Sequence, residues 1–172
     1  MLGKKMTDAL NEQINREMYS AYLYLAMSAY SDFKGLKGFA NWFYVQHQEE
    51  TEHAMRVNYY LQNQGAQVKL KALEQPPTDF GTPVDMFQAT LKHEQFITKS
   101  INDLADLAVQ EKDHATQIFL QWFVSEQIEE ESNDNEIIGK LKLAGENGNG
   151  LFMIDKDLGT RVFTPSLTTK AG

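Results

Sequence analysis

Two side chains that can bind a metal ion, Glu50 and His53, lie where a helix would otherwise bury hydrophobic residues. Apolar residues around them recur every three or four positions, which predicts a long helix over about residues 35–62. The stripe of this helix that faces the core contains Phe39, Phe43, Gln46, Glu50, His53, Ala54, Val57 and Leu61. A buried carboxylate and a buried imidazole are costly unless they are paired, and their spacing places both on one helix face. The pair therefore indicates either a metal site or a hydrogen-bonded pair within a helical core.

Each of the other long helices predicted from the sequence also carries a polar residue on its inward stripe. Glu17 lies on the first helix, Glu94 on the third, and Gln127 and Glu130 on the fourth. The separation of Glu17 from Glu50 equals that of Glu94 from Gln127, so the two halves of the chain repeat in register. Four helices that each bring a polar residue to the same height favour a metal site over ordinary core packing.

The types of these side chains narrow the chemistry. Carboxylates with one imidazole and no sulfur suit iron, manganese or zinc. Two cations would neutralise three or four buried carboxylates, and Glu50 is the residue best placed to bridge them. The fourth helix offers Gln127-x-x-Glu130 instead of a second Glu-x-x-His. We therefore expect the second metal ion to be held more weakly than the first.

The composition limits the classes of function. The chain has 172 residues, a net charge of -8 and no cysteine. The lack of cysteine excludes disulfides, thiolate nucleophiles, iron–sulfur clusters and cysteine-based zinc sites. The acidic balance argues against nucleic acid or an anionic membrane as a partner. The N-terminus lacks the apolar core of a signal peptide, and no apolar run is long enough to span a membrane, so we expect a cytoplasmic protein.

The helical pattern predicts an all-α fold with one domain over residues 1–172. Four long helices form a bundle over about residues 5–143, and a short fifth helix follows over about 150–158. Glycine and proline interrupt the pattern over residues 63–81. A loop of this length can return along the whole bundle, which would make the second and third helices parallel. We expect a poorly ordered tail over residues 161–172.

Several residues predict where individual helices begin and end. Lys34-Gly35 should end the first helix, and Thr82-Pro83 should open the third. Three glycines are expected to break the fourth helix, namely Gly145, Gly148 and Gly150. The inward stripe predicted for the first helix, with Tyr24 beside it, consists of Leu10, Ile14, Glu17, Ala21, Leu25 and Ser28.

Four segments of the chain together resemble the ferritins, specifically the non-haem prokaryotic ferritins. They are residues 15–22, 38–54, 93–94 and 123–131, and the resemblance covers roughly residues 5–160. It implies a ferritin-like four-helix bundle with one long crossover. It also implies a hollow shell of 24 subunits that oxidises Fe(II) with O₂ or peroxide. The Fe(III) would be stored inside the shell as a ferric oxyhydroxide mineral.

The resemblance assigns iron-binding roles to the polar residues of the inward stripes. The expected ligands are Glu17, Glu50 and His53 for the first iron, and Glu50, Glu94 and Glu130 for the second, with Gln127 hydrogen-bonding nearby. Prokaryotic ferritins have a third iron site beside this pair, and the residues that match it are Glu49, Glu126, Glu129 and Glu130. A solvated acidic face is the alternative interpretation of this third group.

Three further residues bear on the chemistry that the resemblance implies. Tyr24 and Trp122 resemble aromatic residues that can supply electrons during O₂ reduction, although both could equally be plain core residues. Thr51 stands where bacterioferritin has a haem-binding methionine, so we expect no haem. The iron sites that the resemblance implies would hold two or three iron ions per subunit. The alternatives are a cage that sequesters metal without oxidising it and another ferritin-like diiron oxidase.

Overall fold

The computed structural model describes residues 2–145 and 147–166. These residues form five helices and no strand: α1 (Lys4–Phe33), α2 (Lys37–Asn63), α3 (Pro83–Gln110), α4 (His114–Ala144) and α5 (Gly148–Leu158). The predicted all-α fold of four long helices and a short fifth is confirmed. None of the helices described is long and apolar enough to cross a membrane.

Sequence signals at the helix ends act as predicted. Gly35 has a positive φ of 80°, and the N–H of Leu36 donates a hydrogen bond to the carbonyl of Ser31 at 3.0 Å. This left-handed glycine ends α1 and reverses the chain, so α1 and α2 form a hairpin. Thr82 caps α3 through a reciprocal pair of hydrogen bonds with Asp85.

Helices α2 and α3 are parallel, as the long loop predicted. Near the start of each helix, the ring centroids of Trp42 and Phe87 lie 4.8 Å apart. Toward their other ends, Leu61 and Leu104 belong to one hydrophobic cluster. Because like ends of the two helices meet, the intervening chain must travel the length of the bundle.

The crossover loop, residues 64–82, runs along α1. Near one end, the backbone N–H of Lys69 donates to Asn11 Oδ1 at 2.6 Å. Near the other end, the Tyr30 hydroxyl donates to Asp79 Oδ1 at 2.8 Å. These contacts tie the loop to both ends of α1 and so fix its course.

The predicted effect of the glycines after α4 is correct for only one of three. Gly145 has a φ of 55° and ends α4, but Gly148 and Gly150 lie inside α5. The side chain of Asn147 caps α5 by accepting a backbone N–H at 3.0 Å, which permits an early start. A Cβ at Gly150 would lie 2.8 Å from the Cβ of Ala144, so this glycine permits close packing beside the end of α4.

Helix α5 docks on the first turn of α2. The backbone N–H groups of Gly38 and Phe39 donate to Asp155 Oδ1 at 2.8 and 3.1 Å. The N-cap residue of α2, Leu36, makes no side-chain cap of its own. Asp155 therefore caps α2 from another helix, and a Cβ at Gly38 would lie only 1.5 Å from the Asp155 carbonyl oxygen.

The predicted inward stripe of α1 is wrong beyond Ala21. Leu25 is 38% exposed and Ser28 is partly exposed, whereas Tyr24 and Met27 are buried. The predicted stripe advances by four residues from Ala21 to Leu25, which overshoots the helical period of 3.6 residues. The buried face instead advances by three residues at a time, to Tyr24 and then to Met27.

The interior consists of two hydrophobic clusters with polar residues between them. One cluster includes Phe43 and Phe87 and reaches α5, and the other includes Leu10 and Leu61 at the far end of the bundle. Between them lies what we call the polar layer: Gln13, Glu17, Gln46, Glu50, His53, Glu94, Gln127, Glu130 and Asp134, all buried.

The chain after α5 makes specific contacts, at variance with the expected poorly ordered tail. Residues 161–166 have no regular secondary structure, yet Arg161 and Ser166 both form hydrogen bonds with side chains of α2. These partners are the buried Gln46 and the partly buried Glu52, and helical periodicity alone does not reveal that the chain after α5 reaches them. Residues 167–172 of the predicted tail lie outside the described residues.

Candidate metal centre

Helices α1 and α2 bring three predicted ligands together. Glu17, Glu50 and His53 are buried and each offers one ligand atom, with these atoms all within 4.8 Å of one another. His53 Nδ1 lies 3.5 Å from Glu50 Oε2. The spacing of three residues on α2 aims both side chains at Glu17 on the neighbouring helix. This group has the donor number and type to hold one divalent cation.

The carboxylate oxygens of this group are short of partners. Gln13 Nε2 donates to Glu17 Oε1 at 2.7 Å. In the described part of the chain, no hydrogen-bond donor reaches Glu17 Oε2 or either oxygen of Glu50, although all three atoms are buried. Buried oxygens without partners cost free energy, so these atoms fit a site whose missing partner is a cation.

The same crowding shifts the acid–base behaviour of the site. Burial raises the pKa of Glu50 well above its usual value, and the nearby charges of Glu17 and Glu130 raise it further. Burial likewise raises the pKa of Glu94, with added repulsion from Glu50 and Glu130. The metal-free site therefore holds protons that a divalent cation would displace.

Glu94 and Glu130 complete the other side of the polar layer. The Tyr24 hydroxyl donates a hydrogen bond to Glu94 Oε1, and Gln127 Nε2 donates to Glu94 Oε2 at 3.4 Å. Burial and the charge of Glu94 raise the pKa of Tyr24, so its hydroxyl stays protonated and remains a donor. Each oxygen of Glu94 thus accepts one hydrogen bond, and each keeps a further lone pair that a second cation could use.

A second group of ligand atoms adjoins the first. His53, Glu126 and Glu130 offer atoms that lie within 4.8 Å of one another, and His53 Nε2 is 4.0 Å from Glu126 Oε1. His53 therefore lies between the two groups and turns one ring nitrogen to each. Of the residues expected in the third site, Glu129 is exposed and Glu49 is bound by Arg161, so neither belongs to this group.

Comparison with known proteins identifies the fold family. A family model described as a ferritin-like domain matches residues 7–144. The chain belongs to the ferritin family. It is 45% identical over 156 residues to the bacterial non-heme ferritin of Campylobacter jejuni, which covers 91% of this chain and 93% of the relative. It is 43% identical over 161 residues to the bacterial non-heme ferritin of Bacteroides fragilis, which covers 94% of this chain and 100% of the relative.

Solved structures agree with this assignment to the ferritins. An open pore ferritin from the archaeon Archaeoglobus fulgidus is 48% identical with a TM-score of 0.93, over 94% of this chain and 100% of that chain. An engineered closed form of the Archaeoglobus fulgidus ferritin is 49% identical with a TM-score of 0.94, over 95% of this chain and 100% of that chain. The resemblance to the non-haem prokaryotic ferritins expected from the sequence is confirmed.

Some polar-layer residues of this ferritin, or the partners that they contact, were not predicted from the sequence. Gln46 Nε2 donates to Glu130 Oε2 at 2.7 Å, and Gln13 Oε1 accepts from the Ser100 hydroxyl at 2.7 Å. Asp134 lies four residues beyond Glu130 on the same face of α4, so the helical period could have revealed it. The buried stripe on α2 included Gln46 but gave no indication of its partner.

The aromatic residues predicted beside the centre lie in different surroundings. The Trp122 ring packs edge-on against His53, with ring centroids 5.3 Å apart. The Arg56 guanidinium lies 3.8 Å from the centre of the Trp122 ring, which disfavours positive charge on that ring. Tyr24 is fully buried and hydrogen-bonded to Glu94. Tyr24 therefore contacts a candidate ligand through its hydroxyl, whereas Trp122 contacts one through the edge of its ring.

Proposed function

We propose that this protein is an iron-storage ferritin whose buried centre oxidises Fe(II). The observation that carries the proposal is the first group, Glu17, Glu50 and His53, in which three of the four buried carboxylate oxygens lack hydrogen-bond partners among the described residues. Family membership supports iron as the metal. Fe(II) and O₂ or peroxide are the substrates, and the Fe(III) is deposited as a ferric oxyhydroxide mineral.

The proposed roles of the residues follow from their positions. Glu17 and His53 bind the first Fe(II), Glu50 bridges to the second, and Glu94 and Glu130 bind that second ion. Gln127 holds Glu94 in place through its amide donor. Because the pKa values of Glu50 and Glu94 are raised, Fe(II) binding releases protons from them. Each bound Fe(II) gives up one electron, so the pair delivers two electrons to the oxidant.

The wider setting is also part of the proposal. We infer a cytoplasmic shell of 24 copies with two or three iron ions per subunit, no haem, and no nucleic acid or membrane partner. The net charge of -8 supports a protein that handles cations rather than polyanions. The group formed by His53, Glu126 and Glu130 supports a third iron position beside the pair. Glu49 and Glu129 would complete that position only if their side chains turn inward.

The proposal is tested by His53→Ala, with His114→Ala as the matched control. His53 lies between the two ligand groups, whereas His114 is exposed at the start of α4. We expect the first variant to lose at least about 90% of the initial rate of Fe(II) oxidation in stopped-flow absorbance, because losing even an outer-shell partner of a metal ligand typically costs about 10–100-fold. We expect the control to retain the wild-type rate.

Light scattering must show that both variants assemble to the mass of the wild-type protein. Wild-type oxidation in assembled His53→Ala would refute the placement of the centre. O₂ uptake by the wild-type protein no faster than in buffer would instead favour a cage that only sequesters metal.

A further inference from the structure

Arg161, which follows α5, reaches the edge of the candidate metal centre. Its Nη1 donates to Gln46 Oε1 at 2.7 Å, and its Nη2 donates to Glu49 Oε2. The guanidinium also lies 4.5 Å from the centre of the Trp42 ring. Asn41 Nδ2 donates to the backbone carbonyl of Arg161 at 2.9 Å, so the backbone is held independently of the side chain. One cationic group thus lies against a predicted third-site acid.

Gln46 carries this contact into the polar layer. Its carbonyl oxygen accepts from Arg161, while its Nε2 donates to Glu130 Oε2 at 2.7 Å. The Gln46 side chain is completely buried, so these two bonds fix the direction of its amide. Arg161 is therefore bound to one candidate ligand directly, Glu49, and to another, Glu130, through a single amide.

We propose that Arg161 is a built-in cation that holds Glu49 and Glu130 in the metal-free protein and must withdraw when a divalent cation occupies the third site. The inference rests on the proposed function, because it takes a metal ion as the species that displaces Arg161. Arg161 is a positioning residue in this scheme. It sets the affinity and the order of filling of the third position without touching the iron.

The chemistry of the guanidinium favours this exchange. Arginine stays charged at every accessible pH, so it cannot yield its place by losing a proton. A metal ion that binds Glu49 Oε2 competes with Arg161 for that oxygen, and the two positive charges repel each other across a partly buried site. Without metal, Arg161 compensates the charge of Glu49, which would otherwise face Glu126 and Glu130. The site thus has a cation in both states, and only its identity changes.

The movement required is confined to one side chain. Asn41 can retain the backbone of Arg161, while the guanidinium swings away from Trp42 and Gln46. The side chain of Arg161 is 22% exposed, so solvent lies on its path. Ser166, farther along, is bound separately through Glu52. The rest of the segment therefore need not move.

The first test is calorimetric titration of the assembled apo protein with Zn(II), which fills the sites without oxidation. In Arg161→Gln we expect the third Zn(II) to bind about fivefold or more tightly than in wild type, because a charge-assisted competitor has gone. Lys156→Gln is the matched control, since it removes the same charge from an exposed position on α5. Its third-site affinity should equal that of wild type.

The second test follows Trp42 directly. The chain has two tryptophans, so Trp122→Phe leaves Trp42 as the only one. In this background the fluorescence of Trp42 should change as the third equivalent of Zn(II) binds, because Arg161 leaves the ring. The change should be absent when Arg161→Gln is added. A side chain that only braces the fold would leave Trp42 unaltered during the titration.

The outcomes separate the two proposals. The exchange would be overturned if Arg161→Gln bound the third Zn(II) no more tightly than wild type. It would also be overturned if two Zn(II) ions bound but a third never did. Failure to bind any Zn(II) would contradict the proposed function itself. If Arg161→Gln does not assemble, the Trp122→Phe titration still decides. An unchanged Trp42 signal through the third equivalent refutes the exchange.

Discussion

Asp134 should lower the stability of the metal-free protein at neutral pH. Its side chain is 1% exposed, and neither of its oxygens has a hydrogen-bond partner within the described residues. Burial raises the pKa of Asp134 from 3.8 to about 8, and the charge of Glu130 contributes to the shift. Asp134→Asn keeps the shape of the side chain and removes its proton equilibrium. We therefore expect this substitution to stabilise the apo protein.

The sign and the size follow from proton linkage. The folded pKa is the higher one, so the stability present below 3.8 is lost as the pH rises toward about 8. Between pH 3.8 and pH 7 this loss of stability extends over about three pH units. Each unit costs about 1.4 kcal/mol, which gives roughly 4 kcal/mol at most. Local relaxation and the buried amide of asparagine reduce the gain to about 1–3 kcal/mol. For a chain of this size, that raises the thermal midpoint by about 3–9 °C.

Scanning calorimetry of the assembled apo protein at pH 5.5 and pH 8 measures this effect. The gain in the thermal midpoint for Asp134→Asn should be larger at pH 8, where the wild-type protein has lost more of its linkage stability. Glu136→Gln is the control on the same helix, because Glu136 is 66% exposed and pairs with Lys140. It should change stability by less than about 0.5 kcal/mol at either pH. A lower midpoint for Asp134→Asn at pH 8 would mean that the fold stabilises ionised Asp134, and the reasoning would be refuted.

Three further predictions concern the site and its supports. Zn(II) should raise the thermal midpoint of the apo protein, with a smaller rise in Glu50→Ala, because a ligand that binds only the folded state stabilises it; equal rises in calorimetry would exclude Glu50 as a ligand. Gly38→Ala should destabilise the protein by more than about 2 kcal/mol because its Cβ would meet the Asp155 backbone, whereas Gly139→Ala, in open space, should be neutral or stabilising. Glu126→Gln should leave the first rapid oxidation intact and change the ratio of iron oxidised to O₂ consumed in an oxygen-electrode titration. If this ratio equals that of the wild-type protein, Glu126 belongs to a solvated acidic face and is not an iron ligand.

Much of the fold could be predicted because helical periodicity is a local property. The inward stripe of α2, from Phe39 to Leu61, is buried at every predicted position. The Thr82 cap and the left-handed Gly35 also depend only on neighbouring residues. Errors arose where a choice between steps of three and four was needed, as at Leu25 on α1. Asp134 was within reach of the same rule, since it lies one turn beyond Glu130.

The sequence by itself determined that Glu17, Glu50 and His53 would face the core, because each position repeats with the local helical period. Only the tertiary structure decided which atoms meet there: Gln46 with Glu130, Tyr24 with Glu94, and Arg161 with Glu49. The physical reason is that these partners are brought together by the packing of separate helices and by the chain after α5. Such contacts leave no periodic signal in the sequence, since the direction of a side chain on one helix does not specify what another segment places opposite it.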